Sequence, residues 1–341
     1  MKRLIGREKE IESLEAYVDS GQAEFIAIYG RRRVGKTFLI NQLFRNRLAF
    51  SLTGIIDGTP SEQMESYVQA LEFNGYKINE HPKNWLTAFA ELRKFLQPKI
   101  NSGEPCIVFI DEISCFDSQR SGFVRALGFF WNSWASLQDN LKLIICGSVT
   151  SWMITNIIDS KGGLHNRVTH EIALHQFTLH ETELYLLNRG FNWSRLTILQ
   201  AYMCLGGVPY YLSLLSASES LAENLDRLFF DRDAELQKEY SRLYKTLFKS
   251  PEPYMKIVKL LAESKQGLTR QEISTKLKIS GKALTDQLGN LQSCDIIRLY
   301  YVKDAKIKKN GGIYQLMDFY SHFYLKFAFL GLGDLNNVLY N

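Results

Sequence analysis

The chain has 341 residues, of which 45% are apolar and 23% are charged, as expected for two or three globular domains with sizeable cores. No apolar run approaches the ~20 residues of a membrane span, and the first ten residues are too charged for a signal peptide. The five cysteines are scattered and odd in number, which is typical of reduced thiols. These features exclude membrane-spanning and disulfide-rich secreted proteins, and we expect a cytoplasmic protein.

The net charge of +5 is unevenly distributed along the chain. Residues 1–250 contain 28 Lys+Arg and 28 Asp+Glu, whereas residues 251–341 contain 13 Lys+Arg and 8 Asp+Glu. A basic excess in one region favours an acidic partner such as nucleic acid. A solvated basic face explains the excess equally well.

The strongest motif is residues 30–37, which match G-x-x-x-x-G-K-[ST] at every fixed position. An apolar strand precedes the motif and a helical pattern follows it, which is the context of a loop whose backbone N–H groups hold phosphates. We therefore expect a nucleoside triphosphate, with Lys36 on the β- and γ-phosphates and Thr37 on Mg²⁺. The predicted contacts in this segment are Gly30, Arg33, Val34, Gly35, Lys36, Thr37 and Phe38.

Two acids end a second apolar strand, which covers residues 106–110. The carboxyl end of a buried strand beside a phosphate loop is where a Mg²⁺ ligand is needed, and we assign Asp111 to that role. An adjacent carboxylate can orient and activate water, so we assign Glu112 to the attacking water. Together with the phosphate loop, this pair predicts hydrolysis of ATP rather than binding alone.

Two further polar residues are candidates for contact with the γ-phosphate. Ser148 follows the apolar strand of residues 141–147, and we expect it to be a sensor of the γ-phosphate, the N-cap of the next helix, or both. Arg167 stands before the last predicted core strand, where an arginine could reach the γ-phosphate in cis or from a neighbouring subunit. Near the amino terminus, a Gly-Arg-Glu turn opens a helix where an adenine could be held.

Hydrophobic periodicity predicts a strand at residues 48–53 and helices at about 61–74 and 85–98, followed by helices at about 181–189, 194–205, 210–217, 221–230 and 234–249. Residues 250–253 are predicted to be a linker, followed by helices at 255–263, 269–277 and 280–293 and by strands at 296–301 and 313–316.

The order of predicted elements indicates an α/β fold: a P-loop NTPase αβα sandwich with a parallel sheet, followed by an all-helical lid and a winged-helix domain. In the winged helix the third helix would enter a DNA major groove, while a basic wing would contact phosphates. Such modules also pack against their own ATPase core or a partner protein. The predicted domains are an ATPase core (1–178), a helical lid (179–250), a winged helix (251–317) and an aromatic tail (318–341), which could begin a further domain. The predicted DNA contacts are Lys282, Thr285, Asp286, Gln287 and Asn290 on the third helix, and Lys303, Lys306, Lys308 and Lys309 on the wing.

Taken together, these motifs resemble the archaeal and bacterial P-loop ATPases of the STAND class, within the wider AAA+-like group and including DUF234-type relatives. The resemblance implies an adenine-side motif at Ile5, Gly6 and Arg7, and a lid element at residues 207–209 whose Pro209 approaches the base. Arg167 corresponds to the family's arginine before the last core strand, although His165-Asn166 replaces the Tyr-Gly that commonly precedes it. The segments that carry the resemblance are residues 4–10, 30–37, 107–113, 146–148, 207–209 and 314–319.

The sequence thus predicts an ATP- and Mg²⁺-dependent switch with slow hydrolysis, whose lid and winged helix change position with nucleotide state. One alternative is a DNA-binding regulator with a mainly structural ATP site. Another is a protein-interaction scaffold that oligomerises with nucleotide. The sequence does not decide between double-stranded DNA, a partner protein and a second copy of the chain as the partner, nor what the three arginines of the phosphate loop contact.

Overall fold

The computed structural model describes residues 4–118, 120–301 and 312–329, which divide into two compact units. The first unit contains the described residues up to Gly30 together with Gly35–Leu174. The second unit contains Arg31–Val34 and the described residues from His175 onward. The four inner residues of the phosphate loop therefore group with the second unit, although the glycines on either side belong to the first.

The first unit is built on a five-stranded sheet in which every pairing is parallel, with the strand order β2-β3-β4-β1-β5. The three inner strands are buried along almost their whole length. Parallel sheets of this kind have helices on both faces, so their strands are continuous apolar segments. This sheet confirms the predicted α/β core. Its strands are β1 (Glu24–Tyr29), β2 (Leu48–Thr53), β3 (Cys106–Asp111), β4 (Leu141–Gly147) and β5 (His170–Ala173).

The helices of the first unit begin where the sequence supplies capping groups. Thr59 and Asn84 each form a capping box at the start of a helix, which satisfies N–H groups that have no partner within the helix. Short 3₁₀ turns follow β3 and the fifth helix, and a π-turn extends the sixth. The helices are α1 (Glu8–Val18), α2 (Lys36–Phe44), α3 (Pro60–Phe73), α4 (Trp85–Ile100), α5 (Phe123–Ser133) and α6 (Thr150–Met153).

The second unit is mainly helical and has its own hydrophobic core. Thr178, Ser220 and Thr269 form capping boxes, so these helices begin close to their predicted starts. The helix predicted at residues 210–217 is shorter than expected, and the one predicted at 221–230 continues as a π-turn over Asp226–Phe230. The first six helices are α7 (Leu179–Asn188), α8 (Arg195–Leu205), α9 (Pro209–Ser213), α10 (Leu221–Leu225), α11 (Glu235–Leu247) and α12 (Glu252–Ala262).

A small antiparallel sheet with the order β6-β8-β7 completes the second unit. The linker predicted at residues 250–253 is partly wrong, since α12 already begins at Glu252 after Pro251. The strand at Leu268–Thr269 was not predicted, because two residues are too few to show alternation. The remaining elements are β6 (Leu268–Thr269), α13 (Arg270–Leu277), α14 (Gly281–Ser293), β7 (Ile297–Tyr300), β8 (Ile313–Leu316) and α15 (Phe319–Phe323), which a π-turn over Tyr324–Ala328 extends.

The aromatic segment after β8 packs into the core of the second unit, where Tyr320, Tyr324 and Ala328 are buried. The predicted wing lysines, Lys303, Lys306, Lys308 and Lys309, lie outside the described residues. The finer division into lid, winged helix and tail stays a prediction. Within the part of the chain that the structure describes, no helix has both the length and the apolar composition that a bilayer span requires.

Candidate functional site

The candidate site lies at the carboxyl edge of the parallel sheet, where three strands end at nearly the same level. Strand β4 separates β1 from β3, with Tyr29 paired to Gly147 and Ile110 paired to Ile145. The residues that follow these strands therefore emerge at one edge of the sheet, which is where open α/β sheets bind ligands. The phosphate loop follows β1, Ser148 follows β4, and Glu112 follows β3.

The two glycines of the phosphate loop both have a positive φ, and they differ in the space around them. A Cβ at Gly30 would lie 2.2 Å from the carbonyl oxygen of Leu174, so the chain that follows β5 excludes any side chain there. Gly35 has a φ of 95° and open space around it, so its requirement is conformational. Helix α2 begins directly after Gly35, which leaves the first N–H groups of α2 at the loop.

Lys36 is the cation of the site and is only 5% exposed. Its Nζ donates hydrogen bonds to the carbonyl oxygen of Gly30 at 2.7 Å and to Oγ of Ser148 at 3.1 Å. The ammonium group thus lies between the phosphate loop and the end of β4. The contact of Lys36 with the β- and γ-phosphates stays a prediction.

Thr37 and Asp111 form the pair that the sequence assigns to Mg²⁺. Thr37 Oγ1 donates to Oδ2 of Asp111 at 2.6 Å, and Asp111 is only 3% exposed. Burial raises the pKa of the Asp111 carboxyl above its ordinary value, and the hydrogen bond from Thr37 partly offsets the rise. A hydroxyl and a carboxylate side by side are the oxygen ligands that Mg²⁺ accepts alongside phosphate oxygens and water. The residues present therefore fit the predicted ion.

Glu112 adopts a left-handed conformation with a φ of 46°, which is uncommon for a residue with a Cβ and is found at functional sites. Its Oε1 accepts a hydrogen bond from Ser148 Oγ at 2.5 Å, and the Ser148 N–H lies 3.3 Å from Oε2. The backbone N–H of Glu112 donates to Oδ1 of Asp111 at 2.9 Å. The two acids are thus oriented by each other and by Ser148.

Ser148 connects the cation to the predicted base, since its hydroxyl accepts from Lys36 and donates to Glu112. The alternative role as a helix cap is wrong, because α6 begins at Thr150 with Val149 at the cap position. Sequence reasoning placed Ser148 near the γ-phosphate but not between Lys36 and Glu112. Only the order of the strands, with β4 in the centre, places it there.

The other predicted contacts within the first unit lie before α1, at the start of α2 and before β5. Gly6 and Arg7, which precede α1, have positive φ values of 67° and 66°. The Arg7 side chain is buried, with its Nη1 3.7 Å from Oε1 of Glu10. The side chain of Phe38 is 44% exposed, and Arg167 is exposed. The roles of Ile5, Gly6, Arg7, Phe38 and Arg167 in holding nucleotide stay predictions.

Predicted contacts also fall in the second unit, namely Arg33, Val34 and Pro209. Pro209 is the first residue of α9, and Gly207 is held so close to Phe177 that a Cβ would lie 1.8 Å from the Phe177 carbonyl oxygen. This contact explains the glycine in the Gly-x-Pro element by packing within the second unit. The role of Pro209 toward the base stays a prediction.

The arginines of the phosphate loop have partners that sequence patterns did not indicate. Arg31 pairs with Asp318, Arg32 with Thr246, and Arg33 with Glu239, all within the second unit. No local signal marks these partners, because each lies more than 200 positions away along the chain.

The helix predicted to contact DNA, α14, presents a mixed surface. Lys282, Thr285 and Asp286 are exposed, while Gln287 and Asn290 are half-buried. The side-chain amide of Asn290 donates to the Tyr254 hydroxyl at 2.9 Å. Asn290 is thus engaged within its own unit, and the exposed face of α14 has one cation and one carboxylate among the predicted contacts.

Known archaeal proteins are similar to this chain in sequence and in structure. The protein is 26% identical over 341 residues to an uncharacterized protein of Methanocaldococcus jannaschii, MJECL04, a match that covers 99% of this chain and 71% of that protein. Among solved structures, the Walker-type ATPase PABY2304 of Pyrococcus abyssi is 19% identical with a TM-score of 0.66, covering 95% of this chain and 96% of that one. The ORC2 protein of Aeropyrum pernix is 12% identical with a TM-score of 0.56, covering 95% and 93%.

These structural likenesses establish the fold, and the predicted resemblance to archaeal P-loop ATPases is confirmed at that level. A family model for an ATPase domain found predominantly in Archaea, ATPase_2, matches residues 4–215, which include the phosphate loop, the two acids at the carboxyl end of β3 and Ser148. A match of this extent covers more than half of the chain. The protein therefore belongs to the ATPase_2 family of P-loop ATPase domains.

Proposed function

We propose that this protein binds ATP with Mg²⁺ at the carboxyl edge of the parallel sheet and hydrolyses it slowly to ADP and phosphate. The observation that carries the proposal is the continuous network from Lys36 through Ser148 to Glu112, beside the Thr37–Asp111 pair. Phosphoryl transfer needs a cation for the transferred group, ligands for Mg²⁺ and a group that orients water. Lys36 would be the cation, Thr37 and Asp111 the Mg²⁺ ligands, and Glu112 the group that orients water.

The charge balance of the site supports a cationic ligand in addition to the nucleotide. Lys36 supplies one positive charge, whereas Asp111 and Glu112 supply two carboxylates, and Asp111 is almost fully buried. Buried carboxylates are stabilised by pairing or by a metal ion. We infer that Thr37 and Asp111 hold Mg²⁺, which would neutralise phosphate charge when bound.

Ser148 provides a physical reason for slow turnover in this proposal. While Glu112 Oε1 accepts the Ser148 hydroxyl, one of its lone pairs is occupied and is not available to orient water. A γ-phosphate that took Lys36 as its partner would compete with Ser148 for the ammonium group. The state of Glu112 would then depend on whether the γ-phosphate is present, which is the property of a sensor.

The test measures ATP·Mg²⁺ affinity by calorimetry and phosphate release for the wild type, Lys36→Ala and Glu112→Gln. Lys36→Ala should weaken ATP binding by roughly 10- to 100-fold, the range for a hydrogen bond to a charged group. Glu112→Gln should bind ATP nearly as well as the wild type and lose about 100-fold or more in turnover.

Glu12→Gln, an exposed carboxyl on α1, is the matched control and should leave both quantities unchanged. Undiminished turnover in Glu112→Gln would remove that residue from the proposed chemistry.

We further propose that nucleotide state shifts the position of the predicted lid (179–250) and winged helix (251–317), with Pro209 and the Ile5-Gly6-Arg7 turn at the base and Arg167 at the γ-phosphate. A ligand moves such an equilibrium only by its different affinities for the two states. Scattering measurements with ADP and with ATP·Mg²⁺ on Glu112→Gln should differ. Indistinguishable profiles would argue against a switch.

A DNA-binding regulator is the second candidate, and one specific observation favours it. The element order of residues 252–316, helix, short strand, two helices and two antiparallel strands, is that expected of a winged helix. Exposed cations lie on and beside α13 and α14 at Arg270, Lys276, Lys278 and Lys282.

If this candidate is correct, a fluorescent DNA duplex should bind with an affinity that falls steeply with salt. Neutralising Lys306, Lys308 and Lys309 together should reduce the salt dependence. Light scattering with ATP·Mg²⁺ would at the same time reveal nucleotide-dependent oligomers, the outcome expected of a protein-interaction scaffold.

A further inference from the structure

The guanidinium groups of the phosphate-loop arginines are held by side chains of the second unit. Arg33 donates a hydrogen bond from Nη2 to Oε2 of Glu239 at 2.9 Å, and its Nε lies 2.7 Å from Oε1 of the same carboxylate. The Arg33 guanidinium also lies 3.8 Å from the centre of the Tyr210 ring. Arg31 forms a fully buried pair with Asp318 at 2.5 Å, and Arg32 donates to Thr246 Oγ1 at 2.8 Å.

Glu239 is a buried residue of the second unit whose carboxylate is positioned to pair with Arg33. Its side chain is only 3% exposed, and Oε1 also accepts a hydrogen bond from the Tyr211 hydroxyl at 3.2 Å. A hydrogen bond between a guanidinium and a carboxylate is stronger than one between neutral groups, so it restrains the Arg33 side chain as well as balancing its charge. The aromatic ring of Tyr210 adds a contact with the face of the same guanidinium. The Arg33 side chain is therefore restrained on several sides.

The backbone of Arg33 is in an unusual conformation, with a φ of 73°. The left-handed region disfavours a residue with a Cβ relative to glycine by roughly five- to thirtyfold in population. Such conformations persist where the surroundings enforce them. Left-handed residues alternating with right-handed ones turn successive N–H groups toward one point, which creates an anion-binding cradle. The conformation of Arg33 is thus part of the shape that a phosphate loop needs.

We propose that Glu239, assisted by Tyr210, is a positioning residue for nucleotide binding: by holding the Arg33 side chain, it keeps the Arg33 backbone left-handed and the phosphate cradle formed. This inference rests on the proposed function, because it assigns a regulator of the same phosphate site. The Arg33 guanidinium is paired with Glu239, so we assign its charge no contact with the phosphates. The second unit thereby sets the fraction of molecules whose loop is competent to bind, and apparent affinity scales with that fraction.

A purely structural ion pair between Glu239 and Arg33 would not depend on the backbone conformation that residue 33 prefers. If Glu239 acts through the backbone of Arg33, a residue that adopts positive φ without cost should make Glu239 dispensable. Glycine is such a residue and alanine is not. The double variants Arg33→Gly/Glu239→Gln and Arg33→Ala/Glu239→Gln remove the same two charges and differ only in that backbone freedom.

The experiment measures ADP affinity by calorimetry for the wild type, Glu239→Gln and the two double variants. Glu239→Gln and Arg33→Ala/Glu239→Gln should each bind ADP roughly 5- to 30-fold more weakly than the wild type. Arg33→Gly/Glu239→Gln should recover to within about threefold of the wild type. Equal ADP affinities for the Gly and Ala double variants would overturn the proposal, as would wild-type affinity in Glu239→Gln.

Glu219→Gln is the matched control, because it removes a carboxylate that pairs with Arg227 in the same unit and touches no loop arginine. It should bind ADP like the wild type. If Glu239→Gln alone does not fold, the two double variants still decide the question, since neither leaves a buried charge without its partner.

Trypsin cleavage provides a readout that needs no nucleotide. Cleavage after residues 31–33 should be faster in folded Glu239→Gln than in the wild type and in Glu219→Gln, since the loop is released. A wild type that fails to bind ADP and ATP would contradict the proposed function, yet faster cleavage would still support the restraint by Glu239. Unchanged cleavage together with unchanged ADP affinity would contradict the restraint alone.

Discussion

Two buried charged clusters involve residues of the same eight-residue loop, and their charge balance differs. In the first unit, Lys36 stands with two carboxylates, Asp111 and Glu112. In the second unit, Arg31 and Arg33 stand with two carboxylates, Asp318 and Glu239. The first cluster has one more carboxylate than cations, whereas the second is balanced pair by pair.

This difference in charge balance distinguishes a cluster suited to bind a ligand, in the first unit, from a cluster suited to restrain the loop, in the second. A buried carboxylate without a matching cation is costly unless a ligand supplies the charge, so the first cluster is suited to receive Mg²⁺. The second cluster is complete without a ligand, because each guanidinium already has its carboxylate. Arginines inside a phosphate motif therefore need not contact phosphate. Their charges can instead fix the shape of the backbone that does.

The largest expected effect is loss of the buried pair between Arg31 and Asp318. Asp318→Asn leaves the Arg31 guanidinium buried without its carboxylate and should cost about 3–5 kcal/mol in the free energy of unfolding. The double variant Arg31→Met/Asp318→Leu should cost only about 1 kcal/mol, mainly from losing the cap that Asp318 provides to Ser321 at the start of α15. Urea unfolding measures both. Equal losses would mean that the balance of charge is not what matters in this cluster.

Gly30 and Gly35 should respond differently to the same substitutions. Gly30→Ala places a Cβ against the Leu174 carbonyl and should destabilise the protein by about 1–3 kcal/mol. Gly35→Ala meets open space and should cost about 1–2 kcal/mol through its left-handed backbone alone. Asparagine tolerates that conformation, so Gly35→Asn should be milder than Gly35→Ala, while Gly30→Asn should be no milder than Gly30→Ala. Thermal unfolding without nucleotide separates these cases.

Magnesium dependence of nucleotide binding tests the unbalanced cluster. Thr37→Val removes the hydroxyl beside Asp111 and should reduce the Mg²⁺-dependent part of ATP affinity by about tenfold. Thr37→Ser retains the hydroxyl and serves as the control. Calorimetric titration of ATP with Mg²⁺ and with EDTA measures the difference. Equal Mg²⁺ dependence in Thr37→Val and the wild type would remove Thr37 from the metal site.

The smallest effect is expected at another buried carboxyl, that of Glu24 at the opposite end of β1, which is near His170 and the buried Lys142. Burial opposes ionisation, but hydrogen bonds from Thr169 and Gln22 hold the pKa of Glu24 below 4.5. The folded state thus binds this proton less readily than the unfolded chain. The ionised Glu24 carboxyl therefore adds to the free energy of unfolding above pH 4.5, and this contribution is lost as the pH falls through the lowered pKa.

Glu24→Gln retains most of the hydrogen bonds and should cost on the order of 1 kcal/mol at pH 7. Its deficit relative to the wild type should shrink as the pH is lowered below 4.5 in urea unfolding experiments. A deficit that stays constant with pH would show that the charge of Glu24 does not contribute to stability. Unlike Thr37→Val, this variant should leave Mg²⁺-dependent ATP affinity unchanged.

Much of the first unit follows from the sequence, because its signals are local. The bounds of β2 match the prediction, and the capped helices α3 and α4 begin within one residue of their predicted starts. Lys36, Thr37, Asp111 and Glu112 were assigned from motif spacing alone. Such spacing is informative because a strand followed by a turn places a side chain within a few residues of the strand end.

Tertiary structure alone decided what the polar residues contact. The central position of β4 sets Ser148 between Lys36 and Glu112, and no pattern in residues 141–148 shows which strands lie beside it. Arg33 and Glu239 are 206 residues apart, and Arg31 and Asp318 are 287 residues apart. Any of the 36 acidic residues could have been the partner. Periodicity reports which face of an element is buried, whereas the choice among distant charges is made only when the chain packs.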